Sequence, residues 1–306
     1  MVLLKQLIDI GHSYASAAAA MNRTYNSVRG YAKRNKIISH ATGKLTPEIN
    51  LPLVVANLPK YDQAMRLAGD FMIVSDVHAP ATDWALASRV AQVARRWLKP
   101  PRRLLVIGDL MNFEIFSRYE ALLPMPSLTV ELEAARYAIQ LWQQTFSEIY
   151  LTLGNHDYRW VKSLLGAYEE DTIIDLLYAL LHNPSGLKVS IYPYLMVDTP
   201  TGLWHLSHIK NYSQVPLSVA RKKANRHKDR HVLLAHQHHI GMALDESGCY
   251  MLSDLPMLGD PERLAYVGLG DSNAPMMKQG FGMLRNGTLT LFSNNPAWTD
   301  WGFWLD

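Results

Sequence analysis

Seven side chains with metal-ligand chemistry stand in order along this 306-residue chain: Asp76, His78, Asp109, Asn155, His208, His236 and His238. Each offers an oxygen or nitrogen lone pair to a divalent cation. One tetrahedral site takes four ligands, so seven converging donors fit a pair of cations better than a single one. Two such cations can share a bridging ligand, which a carboxylate with its two oxygens is able to supply. Asp76 and His78 are spaced i, i+2, as are His236 and His238. At an extended strand end that spacing sends both side chains to one side.

The elements that must position these residues are legible around each cluster. "DFMIVSDVH", "RRLLVIGDLMN" and "EIYLTLGNHD" are apolar runs that end in polar residues. Buried strands of an open α/β sheet carry their chemistry in this way, just beyond the strand end. Residues 84–98 hold an apolar stripe at helical spacing (Leu86, Val90, Val93, Ala94, Trp97), and residues 130–148 read as a further helix. The strand–helix alternation predicts an α/β body. In "LWHLSHIKN", His208 takes the strand end and His205 an interior position of opposite parity. Only one of the two can face the other ligands from one strand, and His208 is preferred.

The ladder "SDVH", "GDLMN", "GNHD", a lone histidine and "AHQH" resembles the calcineurin-like metallophosphoesterase family over roughly residues 70–295. That resemblance implies a four-layer α/β/β/α sandwich with a two-metal site at the strand ends. It implies one metal held by Asp76, His78, Asp109 and His238, a second held by Asp109, Asn155, His208 and His236, and Asp109 as the bridge. Manganese, iron, nickel or zinc would each suit such donors. The implied reaction is in-line attack of a metal-bridging hydroxide on phosphorus. His156 would then be a non-ligand histidine that stabilises the phosphorane or protonates the leaving oxygen. Asn112 stands where many family members have an aspartate bracing this histidine, so its side chain is expected to brace with less charge. Asp157 completes the catalytic set as a brace for its loop. The chain departs from the family pattern at Ala235 and Ile209, where glycine is usual. Alanine is tolerable at 235 if its φ is negative.

The net charge of +3 hides an asymmetry, because residues 1–40 hold six Lys or Arg against Asp9 alone. Leu4, Leu7 and Ile8 share a helical face, Ser13 can cap a helix through the alanine run, and Thr24 can cap a third helix. That third stretch puts Val28, Tyr31 and Ala32 on one face and Asn26, Arg29 and Lys33 on the other. "SYASAAAAMNRTYNSVRGYAKRNKI" resembles a helix-turn-helix domain. The resemblance implies DNA as partner and Tyr25, Asn26, Arg29, Lys33 and Arg34 as contacts. The competing reading makes these helices a docking element on the body or on a second copy of the chain. The expected organisation is a helical domain at 1–38, a proline-interrupted linker or arm at 39–69, and the phosphoesterase domain at 70–306.

Two inserts and the tail could set the substrate. Residues 110–137 carry Phe113, Phe116, Arg118 and Tyr119, which could stack on a base or hold a phosphate. "VARKKANRHKDR" at 219–230 offers a cationic face for a nucleic-acid backbone, or a solvated outer helix. "NPAWTDWGFWLD" concentrates aromatics that could pack into a groove of their own domain. The single cysteine, Cys249, excludes an intrachain disulfide and cysteine-rich zinc modules. No apolar run reaches the roughly 18 residues of a membrane span, and the expected setting is cytoplasmic. The functional expectation is a metal-dependent phosphodiesterase acting on DNA. Its alternatives are a phosphatase or phosphodiesterase for a small molecule or phosphoprotein, and a DNA-bound regulatory protein with little catalysis.

Overall fold

The computed structural model describes residues 2–9, 12, 14–37, 64–117, 125–164, 170–264, 267 and 277–305. The chain divides into two compact units, Met1–Lys60 and Tyr61–Asp306.

In the first unit, helices α1 (Val2–Asp9), α2 (Tyr14–Ala20) and α3 (Tyr25–Arg34) form a small bundle. Leu4 and Ile8 of α1, Ala17 and Ala18 of α2, and Val28 and Ala32 of α3 make its core. Small side chains at the α2–α3 contact let the backbones approach. Thr24 caps α3, its hydroxyl accepting from the Ser27 N–H at 3.3 Å. Tyr14 ties the bundle shut by donating to the Ile37 carbonyl at 2.5 Å. Asn26, Arg29, Lys33 and Arg34 are exposed, as is Tyr25.

The second unit is a two-sheet sandwich flanked by helices. One sheet has the strand order β12-β11-β2-β3-β4-β5. Its strands are β2 (Phe71–Val74), β3 (Arg103–Ile107), β4 (Glu148–Thr152), β5 (Leu187–Ser190), β11 (Gly280–Arg285) and β12 (Thr288–Ser293). The other sheet has the order β1-β6-β7-β8-β10-β9. It is built from β1 (Arg66–Ala68), β6 (Tyr194–Thr199), β7 (Gly202–His208), β8 (His231–Ala235), β9 (Gly241–Leu244) and β10 (Met251–Asp254). Strand β1 pairs with β6, so the body takes in residues assigned from sequence to the linker. A three-residue edge strand is too short to show a period.

Strands β2, β3 and β4 run parallel and are buried on both faces. They read as continuous apolar runs for that reason. Phe71, Ile73, Leu105 and Ile107 face Leu195, Val197, Trp204 and Leu206 of the opposite sheet. Met72, Val74, Leu104 and Val106 face outward under the helices Trp84–Trp97 and Leu128–Gln143. Helix Ser218–Ala224 covers the outer face of the other sheet through Val219, Ala220 and Ala224, packed on Val232, Leu234 and Leu252. The hairpin β11–β12 closes with positive φ at Asn286 (51°) and Gly287 (80°), the two-residue turn this dipeptide favours. Trp301 packs on Phe281 and Phe292, and Trp304 on Trp97, so most of the aromatic tail seals its own domain. No helix among the described residues is long and apolar enough to cross a membrane.

Candidate active site

Strands β2, β3, β4, β7 and β8 end on one side of the sandwich, and the loops past their ends hold the candidate ligands. The loops after β2 and β3 run side by side. The Asp76 N–H donates to Gly108 O at 3.2 Å, His78 N–H to Asp109 O at 3.0 Å and Ala79 N–H to Leu110 O at 3.0 Å. Asp76, His78, Asp109, His236 and His238 all have left-handed backbone, with φ of 49°, 50°, 52°, 79° and 53°. This corrects the extended i, i+2 geometry expected from the sequence. The strands stop at Val74 and Ala235, and a left-handed residue then turns each ligand over the strand end. Ala235 is the last residue of β8 and lies outside the left-handed set, so alanine meets no strain there. Glycine is required next to the ligands for another reason. A Cβ on Gly154 would overlap the Asp109 carboxylate, and one on Gly108 would overlap the His208 ring.

Three sets of ligand atoms come together, each within 4.8 Å: Asp76, Asp109, His208 and His236; Asp76, His78 and His238; and His78, Asp109 and His156. Asp76 Oδ1 lies 3.1 Å from both His208 Nε2 and His238 Nε2. His208 Nε2 is also 3.2 Å from Asp109 Oδ2. Both carboxylates are therefore central, Asp76 common to the first two sets and Asp109 to the first and third. Asn155 Oδ1, both ring nitrogens of His78 and Nδ1 of His238 are buried without a hydrogen-bond partner. Orphaned buried donors and acceptors of this density are costly, and divalent cations are groups that would satisfy them.

Electrostatics agree with that fit. Burial pushes His78 down to about 3, and His156 and His236 to about 4, so their rings are neutral with a lone pair available. Burial also opposes charge on His208, but Asp109 and Asp76 outweigh it and hold this histidine well above its usual range. Burial works against charge on Asp76 as well, yet His238 and His208 hold it well below the carboxylate range. The pocket thus favours positive charge between the two carboxylates, whether a proton on His208 or a cation in its place.

His205, the rival of His208, is not in the cluster. Its ring stacks between Tyr194 at 5.0 Å and His227 at 5.3 Å. Strand parity explains this: Trp204 and Leu206 face the inter-sheet core, and His208 continues that face to the strand end.

His156 lies beside the ligands, its Nε2 4.0 Å from Asp109 Oδ2. Its Nδ1 meets the Asn112 main-chain carbonyl at 2.8 Å. The residue types assign this brace to the Asn112 side chain, which instead donates to Glu114 Oε2 at 3.0 Å. A carbonyl can only accept, so Nδ1 carries the proton and Nε2 the lone pair. Asp157 braces the loops: its carboxylate accepts from the N–H groups of Asp109 (2.8 Å), Gly154 (2.9 Å) and Met111 (3.3 Å).

Three residues at the site carry no signal in the motif ladder: Arg159, Glu114 and Glu131. Arg159 Nη2 lies 3.3 Å from His156 Nε2, and its Nη1 reaches Asn112 O at 3.2 Å and Glu114 Oε2 at 3.5 Å. Glu131, buried, accepts from the N–H groups of Phe113 at 2.5 Å and Glu114 at 3.0 Å and so fixes the loop that carries Glu114. The i, i+3 spacing of His156 and Arg159 at a helix start is the one feature that could have exposed Arg159.

Among the described residues, Phe113 and the basic insert do not line the cluster. Phe113 is fully buried, stacked on Trp160 at 6.0 Å, and cannot receive a base. Arg118 and Tyr119 lie outside the described residues. The basic segment 219–230 ends where β8 begins, at the opposite end of that strand from His236. Its helical part, Ser218–Ala224, lies on the outer face of that sheet with Arg221 and Lys222 exposed. Tyr25, Asn26, Arg29, Lys33 and Arg34 belong to the separate N-terminal unit.

Solved structures to which the chain is similar include the hypothetical protein PH1004 of Pyrococcus horikoshii OT3, at 10% identity and TM-score 0.44, covering 74% of this chain and 87% of that one. Vps29 of Chaetomium thermophilum matches at 8% identity and TM-score 0.39, covering 74% and 96%. Phosphopantetheinyl hydrolase of Mycobacterium tuberculosis matches at 11% identity and TM-score 0.33, covering 77% and 99%. No curated protein matches the chain. The calcineurin-like phosphoesterase family matches residues 69–257, more than half of the chain, and the chain belongs to that family.

Proposed function

We propose that this metal-dependent phosphoesterase cleaves phosphodiesters and that its polymeric substrate is DNA. The observation that carries the catalytic part is the convergence of buried Asp and His donors at one end of the sandwich, with the orphaned Asn155 Oδ1 in the loop between Gly154 and His156. In this reading Asp76, His78, Asp109 and His238 hold one divalent cation, and Asp109, Asn155, His208 and His236 hold the other. Cations bound there supply Lewis acidity, which lowers the pKa of water and neutralises phosphoryl oxygens.

The chain's own residues do the rest. Asn112 O fixes the tautomer of His156, so Nε2 is the nitrogen that can take or return a proton at an ester oxygen. Arg159, anchored by Glu114 and Asn112 O, brings a permanent positive charge beside that nitrogen. A guanidinium there pairs with a non-bridging phosphoryl oxygen through a charge-assisted hydrogen bond. Glu131 and Asp157 hold the loops so that these groups keep their places.

The DNA part is supported by α3, whose exposed face carries Asn26, Arg29, Lys33 and Arg34 opposite its buried Val28 and Ala32. Such a face suits phosphate contact. A substrate panel with the full-length protein in manganese, nickel or zinc tests the proposal: single-stranded DNA, duplex DNA, RNA, bis(p-nitrophenyl) phosphate and p-nitrophenyl phosphate. Cleavage of DNA, with the diester dye preferred to the monoester dye, is the expected result. A monoester preference with DNA left intact would make the enzyme a phosphatase.

A further inference from the structure

We propose that a groove beside the ligand loops binds the planar base of a nucleotide whose phosphate sits at the metal cluster, with Trp298 as the stacking surface. This deepens the phosphoesterase reading and rests on it.

The groove is a cavity of about 570 Å³ lined by Ile240, Met242, Lys278, Leu291, Asn295 and Trp298, among others. It opens where the two sheets present their edge strands, β9 and β12, on the same side of the sandwich. Its position is tied to the catalytic end by covalent and hydrogen-bonded neighbours. Ile240 follows the ligand His238 by two residues, and the Lys278 N–H donates to the His238 carbonyl at 2.7 Å. Gly241 pairs with Asp254, and Ser293 with Gly280, at the ends of β9 and β12 nearest the ligand loops. A phosphoester with its phosphorus at the cluster can therefore reach the groove with its organic portion.

The lining says what that portion is. Trp301 and Trp304 of the aromatic tail are consumed by packing, whereas Trp298 is 81% exposed at the groove. Met242, which also lines the groove, is 44% exposed. An indole face with an apolar floor receives a flat ring. The polar edge at Ser293 and Asn295 suits a heteroaromatic ring joined to a phosphate better than a hydrocarbon. Bases stack on exposed aromatic rings with little regard to sequence, which matches a phosphodiesterase that must accept many.

The test is equilibrium binding to the manganese-loaded full chain of two probes with the same phosphate, AMP and ribose 5-phosphate. Wild type should bind AMP more tightly, by roughly 5- to 150-fold, the range seen when a stacking ring is removed. Trp298→Ala, at a surface position, should erase that preference while leaving ribose 5-phosphate affinity unchanged. Met242→Ala should reduce the preference in the same direction and by less. Equal preference in wild type and Trp298→Ala would overturn the groove and leave the phosphate site standing. Failure of ribose 5-phosphate to bind wild type would overturn the site reading itself, and the groove with it.

Discussion

The candidate ligand cluster of the body is buried, braced and backbone-strained, whereas the basic face of α3 is exposed and rests on an ordinary capped helix. Five of the candidate ligands sit in left-handed backbone, a conformation that costs about 1–3 kcal/mol for each non-glycine residue. Asp157, with three N–H groups, and the paired loops after β2 and β3 hold them there. The α3 face asks nothing comparable of its bundle, because its charges extend into water from a helix whose other side packs the core. Chemistry at a fixed point needs placement that the whole sandwich enforces, while attraction to a polyanion needs only charge on a stable surface. Changes in the first region should therefore alter metal content or turnover, and changes in the second only affinity and its salt dependence.

The largest effect should come from Asp109→Ala. It removes a carboxylate shared between two sets of ligands, so metal content and diester turnover should fall together, with DNA affinity through α3 retained. Retained metal, measured by elemental analysis, would break the comparison. His156→Ala should keep its metal and lose about 10²–10⁴-fold in kcat, the usual worth of positioned acid–base help. Arg159→Ala should also keep its metal and lose about 10- to 100-fold in kcat/KM, the scale of a charged hydrogen bond, and Arg159→Lys should recover part of it.

Reversal of Arg29, Lys33 and Arg34 to Glu should leave turnover of a small diester dye unchanged. It should reduce DNA affinity and flatten its salt dependence by about 0.9 in log–log slope for each duplex phosphate no longer neutralised. Fluorescence anisotropy across salt concentrations reads this directly. Unchanged DNA affinity with an altered elution volume in size-exclusion chromatography would make α3 a docking surface.

The smallest effect concerns Glu131. Burial raises its pKa from 4.5 to about 7, against the pull of its two N–H donors. A carboxyl with a raised folded pKa contributes stability that is full below the unfolded value and lost as pH rises through the folded one. Wild type should thus lose stability relative to Glu131→Gln between about pH 4.5 and 7. Melting temperatures of both proteins on either side of that window check the sign, and a constant difference between them contradicts it.

The sandwich end was legible because ligand chemistry is written in residue type and order. Asp76, Asp109 and His208 stand at the ends of apolar runs, and strand parity alone separates His208 from His205. The backbone of the ligands was not legible: i, i+2 spacing is the same for an extended and a left-handed residue, and only the hydrogen bonds between neighbouring loops distinguish them. The brace on His156 escaped for a similar reason, since a main-chain carbonyl leaves no mark in the residue identity of Asn112. Arg159 and Glu131 owe their roles to folding that brings residues 112–114, 131 and 156–159 together. At the N-terminus, caps and apolar faces were enough to locate the helices, but a charge count states only that a polyanion would be attracted.

Anomalous diffraction from manganese-soaked crystals of the full chain tests the central claim most directly. The expected result is two peaks about 3.5–4 Å apart, with the Asp109 carboxylate between them, Asn155, His208 and His236 on one, and Asp76, His78 and His238 on the other. A single peak, or two peaks bridged by Asp76 with Asp109 bound to one alone, would contradict the assignment.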